Sequence, residues 1–197
     1  MARPLAVAIT GGIGAGKSEA LRAFARHGAD TISADEIVHR VLREDSRLQD
    51  ELFDAFGVRM TDADAGERAA LAERVFGDSA RVEQLERLVH PRVVEEQRRW
   101  LEDVAASPDP PALCVVEVPL LYETGAEERF DAVVVITAPE NVRVRRKQLA
   151  AIREREQRLL PDEEKMRRAD FVYVNDGTLD DLDGFVGHVV RELSARG

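Results

Sequence analysis

The stretch that decides the fold reads Gly11-Gly12-Ile13-Gly14-Ala15-Gly16-Lys17-Ser18. It fits the phosphate-loop pattern G-x-x-x-x-G-K-[ST] at every fixed position. Glycines let the backbone curl so that successive N–H groups point at phosphate oxygens, whereas a bulky Cβ would block that approach. In such a loop the lysine reaches the outer phosphates and the serine hydroxyl ligates Mg²⁺. The pattern therefore predicts a nucleotide-binding loop rather than a glycine-rich turn with no ligand.

The sequence on either side of this loop supplies the context that the motif requires. An apolar run of strand length, Leu5 to Ile9, comes directly before it, and residues 17–27 have helical composition. Gly28 then provides a stop signal for the helix. A strand, a loop and a helix in this order are the confirming surroundings of a phosphate loop. The context therefore favours nucleotide binding.

Strand-length segments, most of them apolar, recur along the chain and are separated by helical patterns. They are Ala29–Ile32, Ala112–Val118, Ala132–Ile136 and Phe171–Val174. This alternation predicts an α/β fold, three layers with a parallel sheet of about five strands. Ligands of such sheets bind beyond the carboxyl ends of the strands. We therefore expect the loop at Gly11 and the segments at Ser33, Pro119 and Asn175 to line one cleft.

Two further segments are predicted to complete a single domain over residues 1–197. Residues 45–107 contain no convincing strand, and their apolar residues recur at helical spacing. They predict a helical insertion between the core segments 1–44 and 112–197. Residues 143–160 are strongly basic for an acidic chain.

Composition excludes several classes of function. The formal net charge of −10 makes the chain a poor general binder of nucleic acid or of an anionic membrane. No stretch is long enough to span a bilayer. The single cysteine, Cys114, cannot form an internal disulfide, so we expect a reducing, cytoplasmic location. The histidines are dispersed, and no G-x-S-x-G segment occurs, which disfavours a zinc site and a serine hydrolase.

The motifs taken in order resemble those of the dephospho-coenzyme A kinases, P-loop kinases of the nucleoside-monophosphate kinase type. The similar segments are residues 10–18, Ala34-Asp35, Leu88-Val89-His90-Pro91, residues 118–123 and residues 169–177. The resemblance covers nearly the whole chain and implies transfer of the ATP γ-phosphoryl group to the ribose 3′-hydroxyl of dephospho-coenzyme A, with Mg²⁺. It also implies that the helical insertion carries the acceptor-binding surface and that residues 143–160 form a short basic lid. A monomer is favoured.

The resemblance assigns three catalytic residues. Asp35 would be the general base or would orient the hydroxyl, although an acid in the first turn of a helix also complements the helix dipole. Lys17 would neutralise the phosphoryl group in transit. Arg145 would stabilise charge in the transition state, with Arg146 as the second choice and a solvated helix face as the alternative for either one.

The binding residues form two sets. The nucleotide set is Gly12, Ile13, Gly14, Ala15, Gly16, Lys17, Ser18, Glu19, Asn175 and Gly177, with Ser18 as the metal ligand. The acceptor set is Asp35, His90, Pro119, Leu120 and Leu121. Structural alternatives stay open for most of these: a turn at Asn175 and Gly177, a structural histidine before Pro91, and strand-end core at residues 119–121.

The sequence departs from the family pattern at two places. Ser33 stands where the family has the first aspartate of Asp-Ala-Asp, and the lid is shorter, with a different arginine and glutamine spacing. Two rival functions therefore stay open at this point. One is another small-molecule P-loop kinase, for a nucleoside monophosphate or a similar acceptor. The other is a nucleotide-gated regulatory protein.

Overall fold

The computed structural model describes residues 3–75, 77–146 and 159–196, without the side chains of residues 144–146. Within these residues the strands are β1 (Leu5–Thr10), β2 (Asp30–Ser33), β3 (Leu113–Glu117), β4 (Ala132–Thr137) and β5 (Phe171–Val174). The helices there are α1 (Lys17–Arg26), α2 (Ala34–Glu44), α3 (Ser46–Phe56), α4 (Ala65–Val75), α5 (Ser79–Ala105), α6 (Glu140–Arg146), α7 (Asp162–Arg168) and α8 (Leu179–Ser194).

The strands form one parallel sheet in the order β2-β3-β1-β4-β5. The strand β1 lies at the centre, where Val7 pairs with Val115 of β3 and with Ala132 of β4. The apolar runs suit this position because a parallel strand is buried on both faces. The predicted α/β fold with a five-stranded parallel sheet is confirmed.

Each face of the sheet carries its own apolar core. On one face, Phe24 of α1 and Val186 of α8 pack with Ile9 in one buried cluster. On the other face, Leu121 and Tyr122, in the segment after β3, pack with strand residues that include Ala8. Close packing on both faces fixes the sheet, so the loops at its carboxyl edge start from rigid strand ends.

The described chain divides into two compact units. The first comprises Met1–Ser33 and Asp103–Gly197 and contains the whole sheet. The second, Ala34–Glu102, contains α2, α3, α4 and most of α5. Within the described residues, no helix combines the length and the apolar character needed to cross a membrane.

A half-buried arginine links two helices of the second unit. Asp45 caps α3, because one of its carboxylate oxygens accepts the backbone N–H of Leu48 at 3.0 Å. Arg92 of α5 donates to the other oxygen of Asp45 and to Glu51, each at 2.9 Å. These hydrogen bonds and the nearby positive charge hold the pKa of Asp45 below its usual range, although partial desolvation, the largest single effect, opposes them.

Candidate active site

The loop between β1 and α1 has a backbone that only glycine supports at two points. Gly11 has φ 138°, and a Cβ there would lie 1.9 Å from the carbonyl oxygen of Ile136. Gly16 caps the N-terminus of α1 in the left-handed conformation, with φ 104°. The loop therefore curls tightly against β4 before α1 begins. The positive end of the α1 dipole consequently faces the space enclosed by the loop.

Lys17 is buried within the curl of this loop. Its Nζ donates hydrogen bonds to the carbonyl oxygens of Gly11 at 3.1 Å and of Gly12 at 3.0 Å. Only 9% of the residue is exposed. These hydrogen bonds hold the ammonium group over its own loop, so the cation is already in place for an anionic ligand.

Ser18 lies next to a carboxylate that sequence reasoning did not single out. The Ser18 hydroxyl donates to Oε2 of Glu117 at 3.3 Å. Glu117 is the last residue of β3 and is in register with Ile9 of β1. A hydroxyl and a carboxylate at the end of the adjacent strand suit Mg²⁺, which takes few protein oxygens and completes its shell with phosphate and water. Within the described residues, no cluster of three or more histidine, cysteine or acidic side chains suits a metal ion.

Asn175 connects the end of β5 to the phosphate loop. Its side-chain amide donates to the carbonyl oxygen of Ala15 at 2.8 Å, and the residue is 5% exposed. Gly177 follows in the turn before α8, where a Cβ would lie 2.6 Å from the carboxylate of Asp181. Because Thr178 donates hydrogen bonds to that carboxylate, the pKa of Asp181 is lowered. These contacts favour a bracing role for Asn175, and adenine binding by the two residues stays a prediction.

A cavity of about 470 Å³ opens beside the loop. Its lining includes Gly12, Thr137, Pro139, Arg143, Asp162 and Val174. Sequence reasoning placed Arg143 only within the lid and did not single out Asp162. A positive charge beside the phosphate loop is the feature that a polyphosphate site needs.

Arg143 lies against the phosphate loop through both its backbone and its side chain. Its carbonyl oxygen is 3.3 Å from the place of a Cβ on Gly14, and its Nη1 is 3.0 Å from that of a Cβ on Gly12. The first turn of the helix after β4 is the sequence signal that could have indicated this position.

The predicted acceptor residues after β3 have different surroundings. Leu121 is fully buried in the core, whereas Leu120 is 40% exposed. The carbonyl oxygen of Pro119 accepts a hydrogen bond from the Thr10 hydroxyl at 3.4 Å, which ties this segment to the end of β1. Leu120 is thus the side chain of this segment that is open to a ligand.

The remaining predicted residues are Glu19, whose side chain is in ion pairs, and Asp35 and His90, whose side chains are exposed. The Glu19 carboxylate pairs with Arg22 at 2.6 Å and with Arg26 at 3.4 Å, so it engages the surface of α1 and not the phosphate loop. Asp35, in the first turn of α2, and His90, in α5, are exposed in the second unit. The side chains of Arg145 and Arg146 and lid residues 147–158 lie outside the described residues.

Residues 5–181 match the family model described as dephospho-CoA kinase. The chain belongs to the dephospho-CoA kinase family. A dephospho-CoA kinase of Frankia casuarinae is 36% identical over 197 residues, covering 96% of this chain and 84% of that protein. The family model therefore covers all five strands of the sheet and the whole second unit of this chain.

Two solved structures resemble this member of the dephospho-CoA kinase family along nearly its whole length. A Thermus thermophilus protein is 32% identical with a TM-score of 0.78, covering 98% of this chain and 99% of its own. The dephospho-CoA kinase from Campylobacter jejuni is 25% identical with a TM-score of 0.68, covering 98% of this chain and 100% of its own. Sequence and fold therefore indicate the same family.

Proposed function

We propose that this chain transfers the γ-phosphoryl group of ATP to the ribose 3′-hydroxyl of dephospho-coenzyme A, yielding coenzyme A and ADP. Membership of the dephospho-CoA kinase family supports this reaction over the two rival functions. The observation that carries it is the glycine-rich loop that holds Lys17 buried over its own carbonyl oxygens, within a chain that matches the family from residue 5 to residue 181.

Phosphoryl transfer depends on positioning and on neutralising the charge of the moving group. The loop backbone from Gly12 to Ser18 supplies N–H donors to the phosphates, and Lys17 supplies a cation held in place before binding. Arg143 adds a second positive charge beside the loop. These groups stabilise the negative charge on the phosphates without rearranging at the moment of reaction.

Ser18 and Glu117 are the side chains that would hold Mg²⁺, Ser18 through its hydroxyl and Glu117 through its carboxylate. Bound there, the metal neutralises phosphate charge. Glu117 accepts the hydrogen bond of Ser18 and so fixes the direction of that hydroxyl.

Asp35 receives the proton of the acceptor alcohol in this proposal. The 3′-oxygen forms a bond to the γ-phosphorus, the bond from that phosphorus to the β–γ bridging oxygen breaks, and the proton passes to the carboxylate. The exposed carboxylate at the start of α2 is accessible to a ligand. His90, Pro119 and Leu120 are proposed to contact the acceptor, and Leu121 supports Pro119 and Leu120 from the core.

Arg145 is proposed to stabilise the transition state from the lid, residues 143–160, by the resemblance of its segment to the family. We further propose that the enzyme acts as a monomer in the cytoplasm.

The experiment that tests this function is an ADP-release assay with an acceptor panel and Asp35→Asn. We expect turnover with dephospho-coenzyme A and none above background with AMP. Asp35→Asn should lose at least about 100-fold in kcat because general-base catalysis contributes about 10²- to 10⁴-fold, while ADP binds normally. Glu36→Gln, which removes the neighbouring first-turn charge, should stay within about twofold. Full activity of Asp35→Asn would reject Asp35 as the general base. Phosphorylation of AMP but not of dephospho-coenzyme A would reject the proposed substrate.

A further inference from the structure

Asp162 brings a negative charge to the edge of the phosphate loop. It is the first residue of α7 and lines the cavity beside the loop. Its Oδ2 accepts a hydrogen bond from the Thr137 hydroxyl at 2.6 Å. The same oxygen lies 3.2 Å from the place that a Cβ on Gly12 would occupy, and Oδ1 lies 3.4 Å from it. The carboxylate therefore rests directly against a loop that is built to receive anions.

Arg143 is next to the same point of the loop. Its Nη1 lies 3.0 Å from the Cβ position of Gly12, so the guanidinium and the Asp162 carboxylate approach one glycine together. An acidic group this close lowers the positive potential that Arg143 offers to phosphates. The carboxylate also accepts the hydrogen bond of the Thr137 hydroxyl, so this hydroxyl is already engaged at the cavity wall.

The charge of the ligand decides how strongly this carboxylate opposes binding. Free ADP or ATP carries more negative charge than the same nucleotide complexed with Mg²⁺. Repulsion between like charges a few ångströms apart in a partly enclosed cavity is therefore larger for the free nucleotide. Asp162 is half-buried, so solvent does not fully screen the carboxylate.

We propose that Asp162 is a specificity-determining residue that weakens the binding of free nucleotide and so makes the site select the magnesium complex. The inference rests on the proposed function only in taking the cavity beside the phosphate loop as the nucleotide site. Asp162 acts through its charge and its contact with Thr137, and it takes no part in the phosphoryl transfer itself.

The test is calorimetric titration of the full chain with ADP, once with EDTA and once with excess Mg²⁺, for wild type and Asp162→Asn. We expect Asp162→Asn to bind magnesium-free ADP about five- to tenfold more tightly, and magnesium–ADP less than about twofold more tightly. Glu192→Gln is the control because it removes a partly exposed carboxylate of α8 that does not line the cavity. It should change either affinity by less than about twofold.

Three outcomes would overturn the inference: unchanged affinity of Asp162→Asn for magnesium-free ADP, weaker binding of either form, or an equal gain from Glu192→Gln. Asp162→Ser should show the same gain in affinity for magnesium-free ADP as Asp162→Asn, because both remove the charge. The thermal midpoints of all variants show whether any of them has a folding defect. Turnover with dephospho-coenzyme A is measured separately on the wild type. A wild-type protein that binds ADP without that turnover would reject the proposed function, and the affinities of Asp162→Asn would still decide the inference.

Discussion

Glu117 gives Ser18 a partner that neither residue's place in the sequence discloses. The two residues lie 99 positions apart, and their side chains meet because β3 pairs with β1 next to the loop. Removing the carboxylate leaves the hydroxyl without this acceptor and takes one negative charge from the proposed metal site.

We therefore expect Glu117→Gln to raise the Mg²⁺ concentration for half-maximal turnover by about tenfold or more, since loss of such a supporting group typically costs 10- to 100-fold in metal affinity. Magnesium titrations of the ADP-release rate measure it. Glu192→Gln, an exposed carboxylate on α8, serves as the control. An unchanged magnesium requirement in Glu117→Gln would remove this residue from the metal site.

The residues of the phosphate loop could be predicted because their pattern is local. All the chemistry from Gly11 to Ser18 is contained in eight consecutive positions. Arg143 could be found only through its place in the first turn of the helix after β4, and Asp162 could not be singled out, because its place at the loop depends on how α7 packs beside β4. In the sequence alone, charged residues at these positions are typical of an exposed helix surface.

The helix α7 is held in place by a buried ion pair. The Nζ of Lys165 lies 2.9 Å from Oε1 of Glu123, and the lysine side chain is fully buried. The same carboxylate oxygen accepts the backbone N–H of Leu160 at 2.8 Å. This pair fixes the segment from Leu160 to Met166, which forms one wall of the cavity beside the loop.

Lys165→Met should destabilise the protein by about 3–5 kcal/mol because it leaves the Glu123 carboxylate buried and uncompensated. The double variant Glu123→Leu/Lys165→Met should regain most of that loss, since no buried charge remains. Urea unfolding measures both. Arg167→Met removes a cation from the same helix where the side chain is 69% exposed, and should cost less than about 0.5 kcal/mol. A Lys165→Met variant as mild as Arg167→Met would argue against the buried pair.

The elements of the sheet were predictable where one physical rule dominates. Apolar β-branched runs indicate buried parallel strands, and Phe171–Val174 is found as predicted. The prediction for β2, Ala29–Ile32, was wrong by one residue. The strand is Asp30–Ser33 because Ser33 joins the ladder opposite Glu117. The burial of Lys165 was not predictable, because a lysine within the charged segment 162–168 is typical of an exposed helix.

Across the whole molecule, ligand binding and folding are linked through the phosphate loop. The loop lies between β1 and α1, and Asn175, just after β5, donates a hydrogen bond to it. Its conformation therefore depends on the folded core of the first unit. A nucleotide that binds only the folded chain stabilises it by about 2.7 kcal/mol when its concentration is 100 times Kd. For a chain of this size, that corresponds to a rise in Tm of about 5–10 °C.

The most direct measurement of the central claim is the Tm of wild type and Lys17→Met with and without saturating ADP and Mg²⁺. We expect a rise of about 5–10 °C in the wild type. In Lys17→Met the rise should be below about 2 °C, because the cation at the loop is gone. Arg22→Met, which removes an exposed cation from α1, should keep the full rise. A wild type that ADP does not stabilise, or a Lys17→Met variant that gains as much, would contradict the claim that this loop binds a polyphosphate.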